Sequence, residues 1–141
     1  MECEKIMKQK VESVSPGETA ARAAARMRDE NIGFLPVCDQ EGKVVGTVTD
    51  RDITIRLVAA DKSSQTQVDE IMTRDVVAVH PKDDVEQAHR LMAQHHKSRI
   101  MCIDHLGHLM GIISLSDIAQ DQRSGPVSET LRAVTQREAR P

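Results

Sequence analysis

The chain has 141 residues, enough for one compact core, and contains no apolar run long enough to span a bilayer. Its formal net charge of −3 leaves no basic footprint for nucleic acid. Phe34 is its single aromatic residue, which excludes base capture by aromatic stacking. Three cysteines without regular spacing argue against a disulfide framework. The charged start MECEKIMKQK carries no apolar signal segment, so the expectation is a cytoplasmic protein.

In chain order, the segment opening with Ile6-Met7 reads as a helical turn followed by extended chain through Val11 and Val14. Ala20, Ala23, Ala24 and Met27 then recur at helical spacing, with Thr19 placed as an N-cap. An apolar run over 35–38, a polar turn with glycine over 39–42 and a second apolar run over 44–49 predict a strand–turn–strand. These runs are apolar at most positions, so both faces of a small sheet are covered. A polar stretch, DKSSQTQ, follows over 61–67.

The same order then repeats. Residues 6–53 align on 71–118 at a constant offset of 65 without a gap, and 12 of the 48 pairs are identical. The second copy carries Asp84 as N-cap, the stripe Val85, Ala88, Leu91 and Met92, and strands over 100–103 and 109–114 around a turn at 104–107. Two copies predict a closed pseudo-symmetric pair rather than a solenoid. The expected organisation is a first repeat over 1–62, a linker over 63–67, a second repeat over 68–123 and a tail over 124–141. Val127, Leu131 and Val134 give that tail a short amphipathic stripe that needs a partner surface.

Each copy ends its second strand alike: Gly46-Thr47-Val48-Thr49-Asp50-Arg51-Asp52 and Gly111-Ile112-Ile113-Ser114-Leu115-Ser116-Asp117. A hydroxyl at the strand end, a carboxylate three residues on and the free N–H groups of a helix start share one spot. That set suits phosphate and a ribose diol. The same Thr/Ser-x-x-Asp spacing is also a helix capping box, and duplication preserves two caps as readily as two sites. Gly46 and Gly111, without a Cβ, allow a ligand or a second strand to approach the backbone closely.

The Ile-Met openings, Phe34-Leu35-Pro36-Val37, Asp39 and the two Gly-apolar-apolar-Thr/Ser-x-x-Asp endings together resemble a tandem cystathionine-beta-synthase (CBS) domain pair, or Bateman module. The resemblance runs from Ile6 to about Gln122. It implies an α/β (α+β) fold of two β-α-β-β-α repeats packed through their small sheets, with adenosine-containing ligands in the clefts between them. By the same resemblance Thr49 and Ser114 contact phosphate, Asp52 and Asp117 hold ribose, and groups near Val11, Val76, Val37 and Cys102 line adenine. AMP, ADP or ATP are the leading ligands, with NAD and S-adenosylmethionine open. The resemblance further implies a non-enzymatic, stand-alone sensor that forms a homodimer and signals to a regulated protein. In the second copy Met101 stands where the first has Pro36, and Cys102 where it has Val37, so the second adenine pocket has a different shape.

Lys97 and Arg99 stand where the first copy has Ile32 and Phe34, and read either as phosphate contacts or as a solvated basic edge. Lys8, Arg51 and Arg74 read as surface charges. His95-His96 and His105-x-x-His108, with Cys38 and Cys102, raise a metal or redox sensor as an alternative, but the spacing matches no closed zinc set. A purely structural dimerisation module is the other alternative. No nucleophile–base constellation supports an enzyme.

Overall fold

Short polar side chains set the element ends. In the computed structural model, which describes residues 1–121, the Thr19 hydroxyl accepts the Arg22 N–H at 3.2 Å and starts α1 (Ala20–Glu30). The Asp84 carboxylate accepts the Glu86 N–H at 2.9 Å and starts α3 (Val85–Gln94). Both N-caps are the ones expected. The expected tail helix over 124–141 lies outside the described residues.

The described chain resolves into two compact units. One is Glu12–Val76; the other joins Met1–Val11 to the chain from Val77 onward. In the first, α1 is followed by antiparallel β1 (Phe34–Cys38) and β2 (Val44–Thr49), then α2 (Asp50–Asp52), which widens into a π-helical segment, Ile53–Val58. In the second, β3 (Ala78–Val79) runs parallel to β4 (Arg99–Ile103), which pairs antiparallel with β5 (Leu109–Ser114), and α4 (Leu115–Gln120) follows. The first unit has no regular counterpart of β3, only a single parallel bridge from Val14 to Val37.

Both hairpins turn by the same chemistry. Asp39 Oδ1 accepts the N–H groups of Glu41 and Lys43, and Asp104 Oδ1 those of Leu106 and His108. Gly42 (φ 83°) and Gly107 (φ 92°) then take the left-handed backbone that these turns require. Burial works against ionisation of Asp104, yet hydrogen bonds from His108 and Leu106 hold its carboxyl below the usual range.

The predicted stripes become the two cores. Ala20, Ala23 and Met27 pack with Leu35, Val37 and Val48 in the first unit; Val85, Ala88 and Met92 pack with Ile100, Cys102 and Ile113 in the second. Each core also takes in the opening segment of the other repeat. Ile71 and Met72 are buried with the first strands, while Cys3 is buried among the second, with Ile6 and Met7 packed against them. Backbone pairing fixes this exchange: Thr47 and Thr73 trade N–H···O bonds of 2.9 and 2.8 Å, and Lys8 and Ile112 trade bonds of 2.8 and 3.0 Å. The polar stretch expected as a linker is also engaged, since Thr66 and Ser64 carbonyls accept the N–H groups of Ala20 and Ala21 at the start of α1.

The exchange explains the repeated glycines. A Cβ on Gly46 would lie 2.7 Å from the Thr73 carbonyl oxygen, and one on Gly111 would lie 2.8 Å from that of Lys8. The close approach expected of a ligand or a strand is made by extended chain that forms an isolated antiparallel bridge, Thr73 at one glycine and Lys8 at the other. Gly46→Ala and Gly111→Ala should each lower stability by about 1–3 kcal/mol in urea unfolding, because the obstacle is backbone. Gly17→Ala, which meets nothing within 4 Å, is the control and should change it by less than about 0.5 kcal/mol.

Candidate functional site

The strand-to-helix corners carry the repeated motif. At the end of β2, Thr49 Oγ1 accepts the Asp52 N–H at 3.1 Å and Asp52 Oδ2 accepts the Thr49 N–H at 3.0 Å. At the end of β5, Ser114 and Asp117 make the same pair of bonds, both at 3.0 Å. These are two complete capping boxes, so the structural reading of the motif is realised at both corners. Capping uses Oδ2 of each carboxylate. An ionised carboxylate has about four lone-pair positions, so acceptor capacity remains on Oδ1.

What faces that second oxygen comes from the exchanged segments. Asp52 Oδ1 accepts the Thr73 hydroxyl at 3.2 Å, with Arg56 Nε at 3.8 Å. Asp117 Oδ1 faces Lys8 Nζ at 3.4 Å. Thr73 and Lys8 hold the same position in the two openings, directly after Ile-Met, so one position of the repeat supplies the partner of both aspartates. From the residues alone Lys8 reads only as a surface charge, and neither Thr73 nor Arg56 stands out. Their placement after the twice-repeated Ile-Met pair, and one turn beyond Asp52, was the available signal.

The two corners differ in how much of the carboxylate is taken. Asp52 is 8% exposed, and Arg56 braces the corner by donating from one terminal nitrogen to the carbonyls of Ile71 and Met72 at 3.3 and 2.9 Å. Asp117 is half-buried, and the Lys8 side chain opposite it is 74% exposed, so its ion pair sits in high dielectric and is easily exchanged. Beside the first corner runs an open groove of about 740 Å³, lined by Arg56, Met72, Thr73 and Arg74 with Asp69 and Asp75. Thr49 and Asp52 are not in its wall.

Arg99 begins β4 directly across the ladder from Ser114, as Phe34 lies across from Thr49. Lys97 and Arg99 are both exposed, and neither forms a salt bridge among the described residues. Val11 is half-buried and Val76 is 38% exposed, so both retain surface for a ligand. Val37 and Cys102 are each 0% exposed and packed into their cores. The cause is the burial of both sheet faces, which turns these strand positions inward.

The cysteines are all buried and unbridged. Burial, reinforced by the nearby charges of Cys102, Asp83 and Asp84, pushes the Cys3 thiol up to about 12; burial likewise pushes Cys102 up to about 11 and raises Cys38. Thiolate is the reactive form, so these are inert core groups at neutral pH. Among the described residues no three His, Cys, Asp or Glu side chains converge as metal donors, and no helix is long and apolar enough to cross a membrane. A redox sensor should expose a reactive thiol. The native protein at pH 8 should instead be silent to Ellman's reagent, with all three thiols titrating only after unfolding in urea; rapid native labelling would restore the redox alternative.

Comparison with known proteins agrees with this architecture. The CBS domain family model matches residues 3–59 and again 68–123. The CBS domain-containing protein YhcV of Bacillus subtilis is 40% identical over 118 residues, spanning 84% of this chain and 83% of its own. Hypoxic response protein 1 of Mycobacterium tuberculosis is 30% identical over 92% of this chain and 90% of its own. A crystal structure of Hypoxic Response Protein I with two coordinated zinc ions superposes with a TM-score of 0.78, covering 85% of this chain and 98% of that one. The CBS domain pair of protein MJ0100, in complex with 5′-methylthioadenosine and S-adenosyl-L-methionine, superposes with a TM-score of 0.76 at 26% identity, covering 85% and 94%. Two matched domains, a repeat visible in the residues and the same fold in solved pairs lead to one conclusion: the chain belongs to the CBS domain family and is a tandem CBS domain pair.

Proposed function

We propose that the chain is a regulatory module that binds an adenosine-containing ligand at its two strand-to-helix corners and passes the bound state to a partner protein. The observation that carries this reading is the corner built twice: a capped Thr49–Asp52 and a capped Ser114–Asp117, each with a carboxylate oxygen that the cap leaves to side chains, Thr73 and Arg56 at Asp52 and Lys8 at Asp117. A ribose diol can replace the Thr73 hydroxyl at Asp52 and the Lys8 ammonium at Asp117 without breaking either cap. The ligands bound by the MJ0100 pair share that ribose. AMP, ADP or ATP lead here because Lys97 and Arg99 offer unpaired charge beside Ser114; NAD and S-adenosylmethionine remain within the class.

Calorimetric titration of AMP and adenosine is the decisive measurement. Asp52→Ala with Asp117→Ala should abolish heat from both ligands; equal heats for that variant and the parent protein would refute the reading. A charge-assisted hydrogen bond contributes roughly 1.5–3 kcal/mol. Arg99→Ala should therefore weaken AMP about ten- to a hundredfold while adenosine is unchanged.

The module reading also includes self-association. Ile55 and Val58, 52% and 68% exposed, lie on the π-helical segment after α2 and offer apolar surface for a second copy. Light scattering at tens of micromolar should give the dimer mass. The monomer mass would remove this part of the proposal.

A further inference from the structure

The two corners share their motif and differ in the charge set around it. In the second unit the hydroxyl of Ser114 lies across the ladder from Arg99, Lys97 stands two residues before that, and the residue following Ser114 is the apolar Leu115. In the first unit the matching positions are Phe34, Ile32 and Asp50. At these positions the first corner lacks two cations and gains a carboxylate, and at the next position Arg51 stands where the second corner has Ser116.

That carboxylate is held in place. The Asp50 N–H donates to the Gly33 carbonyl at 3.0 Å, and its Oδ1 accepts the Arg51 N–H at 2.8 Å. Its Oδ2 lies over Gly33, where a Cβ would come within 2.7 Å. The second unit has Ser98 and Leu115 at these positions, so the bare glycine and the carboxylate occur together. Among the described residues no salt bridge neutralises Asp50. The cations on the same helical stretch do not neutralise it: Arg51 is exposed, and Arg56 is committed to Asp52 and to the carbonyls of Ile71 and Met72.

We infer that Asp50 is a specificity-determining residue that turns phosphate away from the Thr49–Asp52 corner, so that this corner takes adenosine-type ligands without a 5′-phosphate while the Ser114–Asp117 corner takes the nucleotides. The inference rests on the adenosine-binding reading above. A ligand phosphate placed against Thr49 meets the like charge of the exposed Asp50 one residue away, whereas against Ser114 it meets Arg99 and Lys97. Like-charge juxtaposition of this kind separates affinities by about tenfold or more. The module would then report two chemically different ligands rather than two copies of one.

Titration calorimetry on the full chain tests this with adenosine and AMP as probes. The parent protein should take two equivalents of adenosine, but only one tight equivalent of AMP, with any second about tenfold weaker. Asp50→Leu should strengthen the weak AMP site about tenfold and leave adenosine unchanged. Because Asp50 is exposed, that variant is expected to fold, and retained adenosine binding verifies it. Arg99→Phe should weaken the tight AMP site alone. Two equal AMP equivalents in the parent protein, or an unchanged weak site in Asp50→Leu with adenosine binding intact, would overturn the assignment of Asp50 while the adenosine reading stands. Absence of heat with adenosine would overturn the binding reading itself, and this inference with it.

Discussion

Everything in this molecule depends on two backbone contacts in which a strand is met, at a glycine, by a segment from far along the chain. Thr73 is bonded to Thr47 beside Gly46, and Lys8 to Ile112 beside Gly111. Those bonds bring Ile71 and Met72 into one core and Cys3 into the other, and they deliver Thr73 and Lys8 to the carboxylates of Asp52 and Asp117. A Cβ at either glycine would push the incoming segment away, loosening the apolar cover of that core and the second partner of that corner. Packing and site geometry are therefore set by the same contacts.

Capping and the proposed ligand binding are compatible uses of the motif because they address different atoms. Oδ2 of each aspartate holds the backbone of the preceding hydroxyl residue and orients the carboxylate; Oδ1 is turned toward replaceable partners. A site whose orientation is fixed by secondary structure needs little rearrangement to accept a diol, which is the physical content of preorganisation. The π-helical segment belongs to the same design. It carries Arg56, which ties the corner at Asp52 to the carbonyls of residues 71 and 72.

Much of this was legible in the residues. Helical stripes, caps at Thr19 and Asp84, turns at Asp39 and Asp104 and the doubled corner motif all depend on neighbours within a few positions, where spacing alone carries the physics. Exchange of the opening segments was not legible, because hydrophobic periodicity says that Met7 and Met72 are buried but not against which strand. Sequence repeats and compact units accordingly cut the chain at different places. The depth of Val37 and Cys102 was not legible for a related reason: an apolar strand residue can line a pocket or a core, and only the covering of both sheet faces decides. Val14, which makes one bridge where its counterpart Val79 belongs to a strand, shows that near-identical patterns still differ in how far pairing propagates.

The exchange also constrains how such a chain could have arisen. Cut at its sequence boundary, a single copy would carry a strand edge with a glycine and an opening segment that in this chain pairs with the edge of the other copy. One copy alone would therefore lack the cover that the other opening gives its core here. Its complement is a second molecule of itself, trading openings reciprocally, and gene fusion would then convert that partnership into the tandem chain. Divergence of the two corners, with Asp50 on one side and Leu115 on the other, becomes accessible only after fusion, when the two halves are encoded separately and can mutate apart.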